Sequence, residues 1–168
     1  LGGIARISGN SNNEIKNSYN QGSIEVEIEN ARLVRLGGIL GAGPNLCATN
    51  LNNIYNSGKI TVINADKITG YLHIGGVIGA YGGLNNKLSI ENAYNIASFY
   101  IHGTARLALI GAICGEDTSA TTINNSYFLN SIPYSSIGKE NSSGDNIDIK
   151  SITSNQKQEL LTNLNKDG

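Results

Sequence analysis

Apolar and polar positions alternate in short runs along most of this chain, the period of β-strands whose successive side chains point to opposite faces. Two kinds of run recur in turn. One is apolar and glycine-rich: LGGI at Leu1, LGGILG at Leu36, IGGVIG at Ile74 and IGAICG at Ile110. The other carries asparagine and tyrosine: IKNSYNQG at Ile15, LNNIYNSG at Leu51, IENAYNIA at Ile90 and INNSYFLN at Ile123. Glycines Gly2, Gly37, Gly75 and Gly111 and tyrosines Tyr19, Tyr55, Tyr94 and Tyr127 each mark a period of roughly 36 residues, and two markers with one period identify a repeat architecture. A third run follows a turn after each of the first three tyrosines: SIEVEIE from Ser23, KITVIN from Lys59 and SFYIHG from Ser98. Three short strands per repeat, with glycines at the corners, predict an all-β parallel solenoid of about four coils.

Strict alternation places Ile15, Asn17 and Tyr19 on one face, and likewise Leu51, Asn53 and Tyr55, then Ile90, Asn92 and Tyr94, then Ile123, Asn125 and Tyr127. With the isoleucines inside, the asparagines and tyrosines are expected inside as well, stacked as ladders from coil to coil. An unpaired buried carboxamide costs about 1 to 3 kcal/mol, which a column of asparagines bonding one another avoids. The paired glycines are expected to supply positive φ and close backbone approach, and Gly22 to turn a corner. Two geometries fit the period: one coil per repeat, or two coils of a triangular left-handed helix. The first is preferred because the two halves of the repeat differ, and the bias of parallel crossovers makes it right-handed.

Composition narrows the functional classes. A net charge of -1 with 15% charged residues gives no basic field for phosphate backbones, so nucleic acid is not an expected partner. No run approaches the length of a membrane helix, so direct membrane insertion is not expected either. Cys47 and Cys114 are too few and too far apart for a disulfide framework and read as free thiols. The chain opens in mid-pattern without Met, as expected of a piece of a longer polypeptide.

The pattern of GGIxG, followed some way on by IxNSYNxGxI, resembles the GLUG-type repeats of bacterial cell-surface and secreted proteins. Those include adhesin-like proteins and the noncatalytic region of immunoglobulin-A-cleaving zinc metalloproteases. The resemblance covers residues 1–137, strongest in the first two copies; the last drifts, with Ala112 in place of the second glycine and Phe128 in place of the asparagine after tyrosine. It implies an extracellular or cell-surface location and a repeat region at 1–137. Residues 138–168 are then a polar linker, a short strand and a capping helix with Ser154 as N-cap and Leu160, Leu161 and Leu164 on one face. A Leu-Asn pair like Leu164 and Asn165 commonly closes such runs. The zinc-binding HExxH of the metalloproteases is absent here, so no protease activity carries over.

Searching for chemistry yields little. His73 and His102 have no Glu or Cys at ligand spacing and read as surface strand residues, and Cys114 takes the core place of Leu40 and Ile78. Glu25, Glu27 and Glu29 form one solvated face, and Glu116 and Asp117 are a lone acidic turn. No catalytic residue, metal site or cofactor is expected. Coil stacking should set Glu25 and Glu27, Thr61 and Ile63, then Tyr100 and His102 in outward columns, which makes Ile63, Tyr100 and His102 the candidate ligand surface, for a host protein or glycan. Three alternatives differ in kind: a structural spacer beside a peptidase domain, a carbohydrate-active β-helix enzyme, and an ice-binding solenoid, whose regular threonine array this sequence lacks.

Overall fold

The structure, a computed structural model, describes residues 1–5, 7, 11–43, 48–81, 87–117, 120–141 and 146–164, with the side chains of 159–161, 163 and 164 outside that description. Each coil runs through four strands rather than three. The first contains β1 (Asn13–Asn20), β2 (Ile24–Glu27), β3 (Ala31–Gly37) and β4 (Leu40–Ala42); the second β5 (Thr49–Asn56), β6 (Ile60–Ile63), β7 (Ile68–Gly75) and β8 (Ile78–Ala80). The third contains β9 (Leu88–Asn95), β10 (Phe99–Ile101), β11 (Leu107–Gly111) and β12 (Cys114–Glu116). Then come β13 (Thr121–Leu129), β14 (Ile137–Lys139), β15 (Ile147–Ile152) and helix α1 (Ser154–Leu164).

Corresponding strands stack in parallel into four sheets: I (β1-β5-β9-β13-β15), II (β2-β6-β10), III (β3-β7-β11) and IV (β4-β8-β12-β14). Ile15 lies opposite Leu51, and Leu51 opposite Ile90, so one repeat is one coil, the first of the two geometries. The stack also runs past residue 137, because β14 joins sheet IV and β15 adds a fifth rung to sheet I.

The glycine-rich run divides in two because its glycines carry the chain from one core to another. Leu36 and Ile74 pack with Ile24, Ile60, Val62 and Leu72 between sheets II and III. Beyond the glycine pair, Ile39, Val77 and Ile113 pack with Leu51, Ile54, Ile90 and Ile123 between sheets I and IV. The paired glycines do not have positive φ; among described glycines only Gly103 does. They serve close approach: a Cβ on Gly38 would lie 2.2 Å from the Asn56 carboxamide, and one on Gly76 2.0 Å from that of Asn95. Gly22 likewise needs no special conformation.

A second correction concerns which way sheet I faces. Asn17, Asn53, Asn92 and Asn125 have φ of 49, 53, 53 and 45°, the left-handed region that Asn tolerates better than other side-chain-bearing residues. Each swings the strand so that the following residue points in: Leu51 and Ile54 are both 1% exposed, with Asn53 between them exposed. A left-handed residue costs about 1 to 2 kcal/mol, whereas burying an isoleucine returns about 2 to 3 kcal/mol, so the inward turn wins where Ile54 follows. Asn17, Asn53, Asn92 and Asn125 therefore stand outside, and Tyr19, Tyr55, Tyr94 and Tyr127 with them. The inward asparagines are Asn20, Asn56 and Asn95, one residue after each tyrosine, at 9%, 0% and 0% exposure.

Helix α1 is present. Its cap is Thr153 rather than Ser154: the Gln156 N–H donates to Thr153 Oγ1 at 3.4 Å, and the Thr153 N–H donates back to Gln156 Oε1 at 3.0 Å, a reciprocal capping box. The side chains expected to lay the helix on the last coil, Leu160, Leu161 and Leu164, lie outside the described residues, as does Cys47.

Candidate functional site

The solenoid offers outer sheet faces on which side chains from successive coils align. On sheet II, Glu25, Thr61 and Tyr100 are register partners, as are Glu27 and Ile63. Continuing that register puts His102 opposite Ile63, anchored where its N–H donates to the Val62 carbonyl at 2.8 Å. The three residues singled out from sequence thus come together: Tyr100 is 49% exposed, His102 is exposed and Ile63 half-buried. Lys59 Nζ stands 5.2 Å from the Tyr100 ring centroid, a cation–π contact that fixes the ring's outward pose. Thr61 lies between Glu25 and Tyr100, is only 5% exposed and leaves its hydroxyl without a hydrogen-bond partner. An exposed phenol, an imidazole, a cation and two carboxylates in adjoining columns are equipment for recognition.

Sheet III carries a surface that the sequence reading missed. Leu33, Tyr71 and Leu107 are register partners across three coils and are 46%, 48% and 44% exposed. Beside them runs a second column of Arg35, His73 and Leu109. The signal was there to be found: in ARLVRLG, ITGYLHIG and ARLALIG apolar residues occupy both alternating sets, so one apolar set must face out.

His73 belongs to this outer face yet is 3% exposed, contrary to the expectation of a surface histidine. The Tyr71 ring meets it edge-on at 5.6 Å, and Glu116 Oε2 lies 3.6 Å from its Nδ1. Burial pushes its pKa below the ordinary value; Glu116 opposes the shift, while Arg35 and Lys139 add to it. Glu116 is itself held by Lys139 Nζ at 2.7 Å. Asp117 is 1% exposed and accepts from the Asn141 N–H, so this acidic turn is engaged by the next rung rather than open to a cation. Among the described residues no group of three or more potential ligands is placed to hold a metal ion.

Sheet I presents the two ladders. Outside, Asn53, Asn92 and Asn125 each donate from Nδ2 to Oδ1 of the asparagine one coil before, at 2.9, 2.9 and 2.6 Å. The tyrosine column shares that face, with Tyr55 and Tyr94 stacked at 5.6 Å and 14° between planes. Tyr19 at its open end is 65% exposed, whereas Tyr94 inside the stack is 1% exposed. Desolvation pushes the Tyr94 phenol up to about 12, with Tyr55 adding to the rise. Inside, Asn20 Nδ2 donates to Asn56 Oδ1 and Asn56 Nδ2 to Asn95 Oδ1, both at 3.0 Å, and Asn95 Nδ2 donates to the Ala112 carbonyl at 2.8 Å. Cys114 lies opposite Ile78 in the core as expected, and burial raises its thiol pKa far above the ordinary value, which makes it an inert packing residue.

Comparison with family models, curated proteins and solved structures returned no match. The functional reading therefore rests on the residues and their placement.

Proposed function

We propose that this chain is a noncatalytic repeat module of a bacterial surface or secreted protein, which binds a host protein or glycan through its outer sheet faces. The observation that carries this reading is the pair of aligned columns on sheet II, where Tyr100, His102 and Ile63 stand side by side. Tyrosine and histidine on a flat, rigid sheet can stack on a sugar face or fill a shallow protein pocket, with little entropy lost on binding because the parallel ladders already hold the backbone. The resemblance of IKNSYNQGSI and its copies to GLUG-type repeats supports the extracellular setting.

The test is a glycan array and a host-matrix protein panel probed with the wild-type chain and with the Tyr100→Ala, His102→Ala double variant. The reading expects binding that the double variant loses while its melting temperature stays within a few degrees. Binding by the wild type that the double variant keeps would overturn the assignment to sheet II. A chain that binds nothing on either panel is a spacer, a reading that draws on the continuity of the four stacked sheets.

A further inference from the structure

We propose that the outer face of sheet III is a docking surface for an acidic amphipathic helix of a partner protein, laid along the solenoid axis on the ridge of Leu33, Tyr71 and Leu107. This face is on a different sheet from Tyr100 and His102, and the inference stands independently of the adhesive reading.

Chemistry is the first support. Three large apolar side chains, each nearly half exposed, align in one column, where a solvated sheet face would ordinarily present polar residues. The same tripeptide, Ala-Arg-Leu, supplies the first and third of them, at Ala31–Leu33 and Ala105–Leu107. Arg32 and Arg106 are therefore both exposed one residue before the ridge, and the Arg32 stem lies beside Gly70, with its Cγ 3.4 Å from where a Cβ there would sit. Arg35 occupies the next outward position of β3. On the sheet IV side Glu116, beside His73, is paired with Lys139 at 2.7 Å, and at the opposite corner Asp66 pairs with Lys67 at 3.8 Å while Glu29 is exposed. An apolar ridge bordered by arginines complements apolar side chains bordered by carboxylates.

Spacing chooses the form of the partner. Neighbouring parallel strands are about 4.8 Å apart, so the ridge rises by that step at each coil. Along an α-helix, side chains at i, i+3 or i+4, and i+7 recur about every 5 Å and stay in step with three coils. Same-face side chains of an extended strand recur at about 6.7 Å and fall out of step by the third.

The experiment titrates the full chain against a fluorescein-labelled helical peptide with leucines at that spacing flanked by glutamates. Controls are a scrambled peptide of equal composition and a version with lysine in place of glutamate. Fluorescence anisotropy should show saturable binding to the acidic peptide alone, weakened at least about tenfold by Tyr71→Ser and at least about threefold by Arg106→Glu. Melting curves establish that the variants fold; if Tyr71→Ser does not, Leu107→Ser takes its place. Absent binding, equal binding of the scrambled peptide, or indifference to both variants would overturn the proposal. So would phosphatidylserine-vesicle binding, or self-association in the ultracentrifuge, that Tyr71→Ser abolishes without any peptide binding, since the ridge would then belong to a membrane or a second copy.

Discussion

Two asparagine columns climb sheet I, three residues apart along each strand, with the same amide-to-amide bond and opposite surroundings. The outer column is exposed at Asn17, Asn53 and Asn125 and half-buried at Asn92; the inner column of Asn20, Asn56 and Asn95 is buried. The last coils show what each position requires. Coil four keeps Asn125 in the left-handed conformation but places Phe128 at the inner position, packed against the core between sheets I and IV. In the same repeat Ala112 replaces the glycine that in earlier coils leaves room for the carboxamide. The fifth rung, β15, has no left-handed residue: Ile147 and Ile149 alternate plainly, and its pairing with β13 absorbs a register shift between Ile123 and Ser126. The outer asparagine is thus chosen for its backbone, and the inner one for its bonds.

The largest expected effect comes from breaking the inner column. Asn56→Leu leaves the Asn20 amide, Asn95 Oδ1 and the Gly58 N–H without the bonds Asn56 now makes to them. Each keeps a second partner, Asn20 Nδ2 the Gly22 carbonyl, Asn95 Oδ1 the Ala97 N–H and the Gly58 N–H the Asn20 carbonyl, so at about 1 kcal/mol for each bond lost urea unfolding should show a loss of about 2 to 3 kcal/mol. Gly38→Ala should cost nearly as much, because its Cβ would meet both the Asn56 carboxamide and the Gly76 carbonyl at 2.2 Å. Combining Gly38→Ala with Asn56→Phe imitates the fourth coil, and the pair should be less destabilising than the two singles added, by about 1 to 2 kcal/mol.

A smaller effect separates the two asparagine roles. Asn53→Leu should cost about 1 to 2 kcal/mol, the penalty of a left-handed conformation without Asn or Gly. Asn53→Gly loses the same ladder bonds but keeps the conformation, so it should cost less than half of that by the same assay. If the two variants were equally harmful, the outer column would owe its asparagine to bonding after all.

His73 gives the smallest expected effect and extends the comparison to a buried polar group with no ladder, since neither ring nitrogen has a hydrogen-bond partner. Its folded pKa lies below 6.5, so the unfolded chain takes up the proton first and stability falls as pH drops through 6.5 towards the folded value. Urea midpoints should decline between about pH 7.5 and 5.5 in the wild type and more shallowly in His73→Gln.

The architecture was legible in the sequence because a parallel solenoid repeats its constraints every coil, so Gly37, Gly75 and Gly111 or Tyr55 and Tyr94 mark equivalent places. Which face pointed inward was not, because a period-two reading assumes uniform strand φ and the left-handed asparagines reverse it in mid-strand. The fourth strand per coil was hidden because LGGILG reads as one apolar run, although its halves belong to different cores. Of the surfaces, the sheet II columns were legible from alternation, since Glu25, Glu27, Thr61 and His102 alternate with the apolar Ile24, Val26, Ile60, Val62 and Ile101. Sheet III was not, since Leu33, Tyr71 and Leu107 look like core until their register and exposure are known.

The most direct measurement is hydrogen exchange of the asparagine side-chain amides by NMR. The carboxamide protons of Asn56 and Asn95 should be strongly protected, with protection lost in Asn56→Leu, while those of Asn53 and Asn92, bonded to one another but on the outer face, exchange much faster. Protection of Asn53 and Asn92 with rapid exchange at Asn56 and Asn95 would reverse the inside and outside of sheet I and contradict the account.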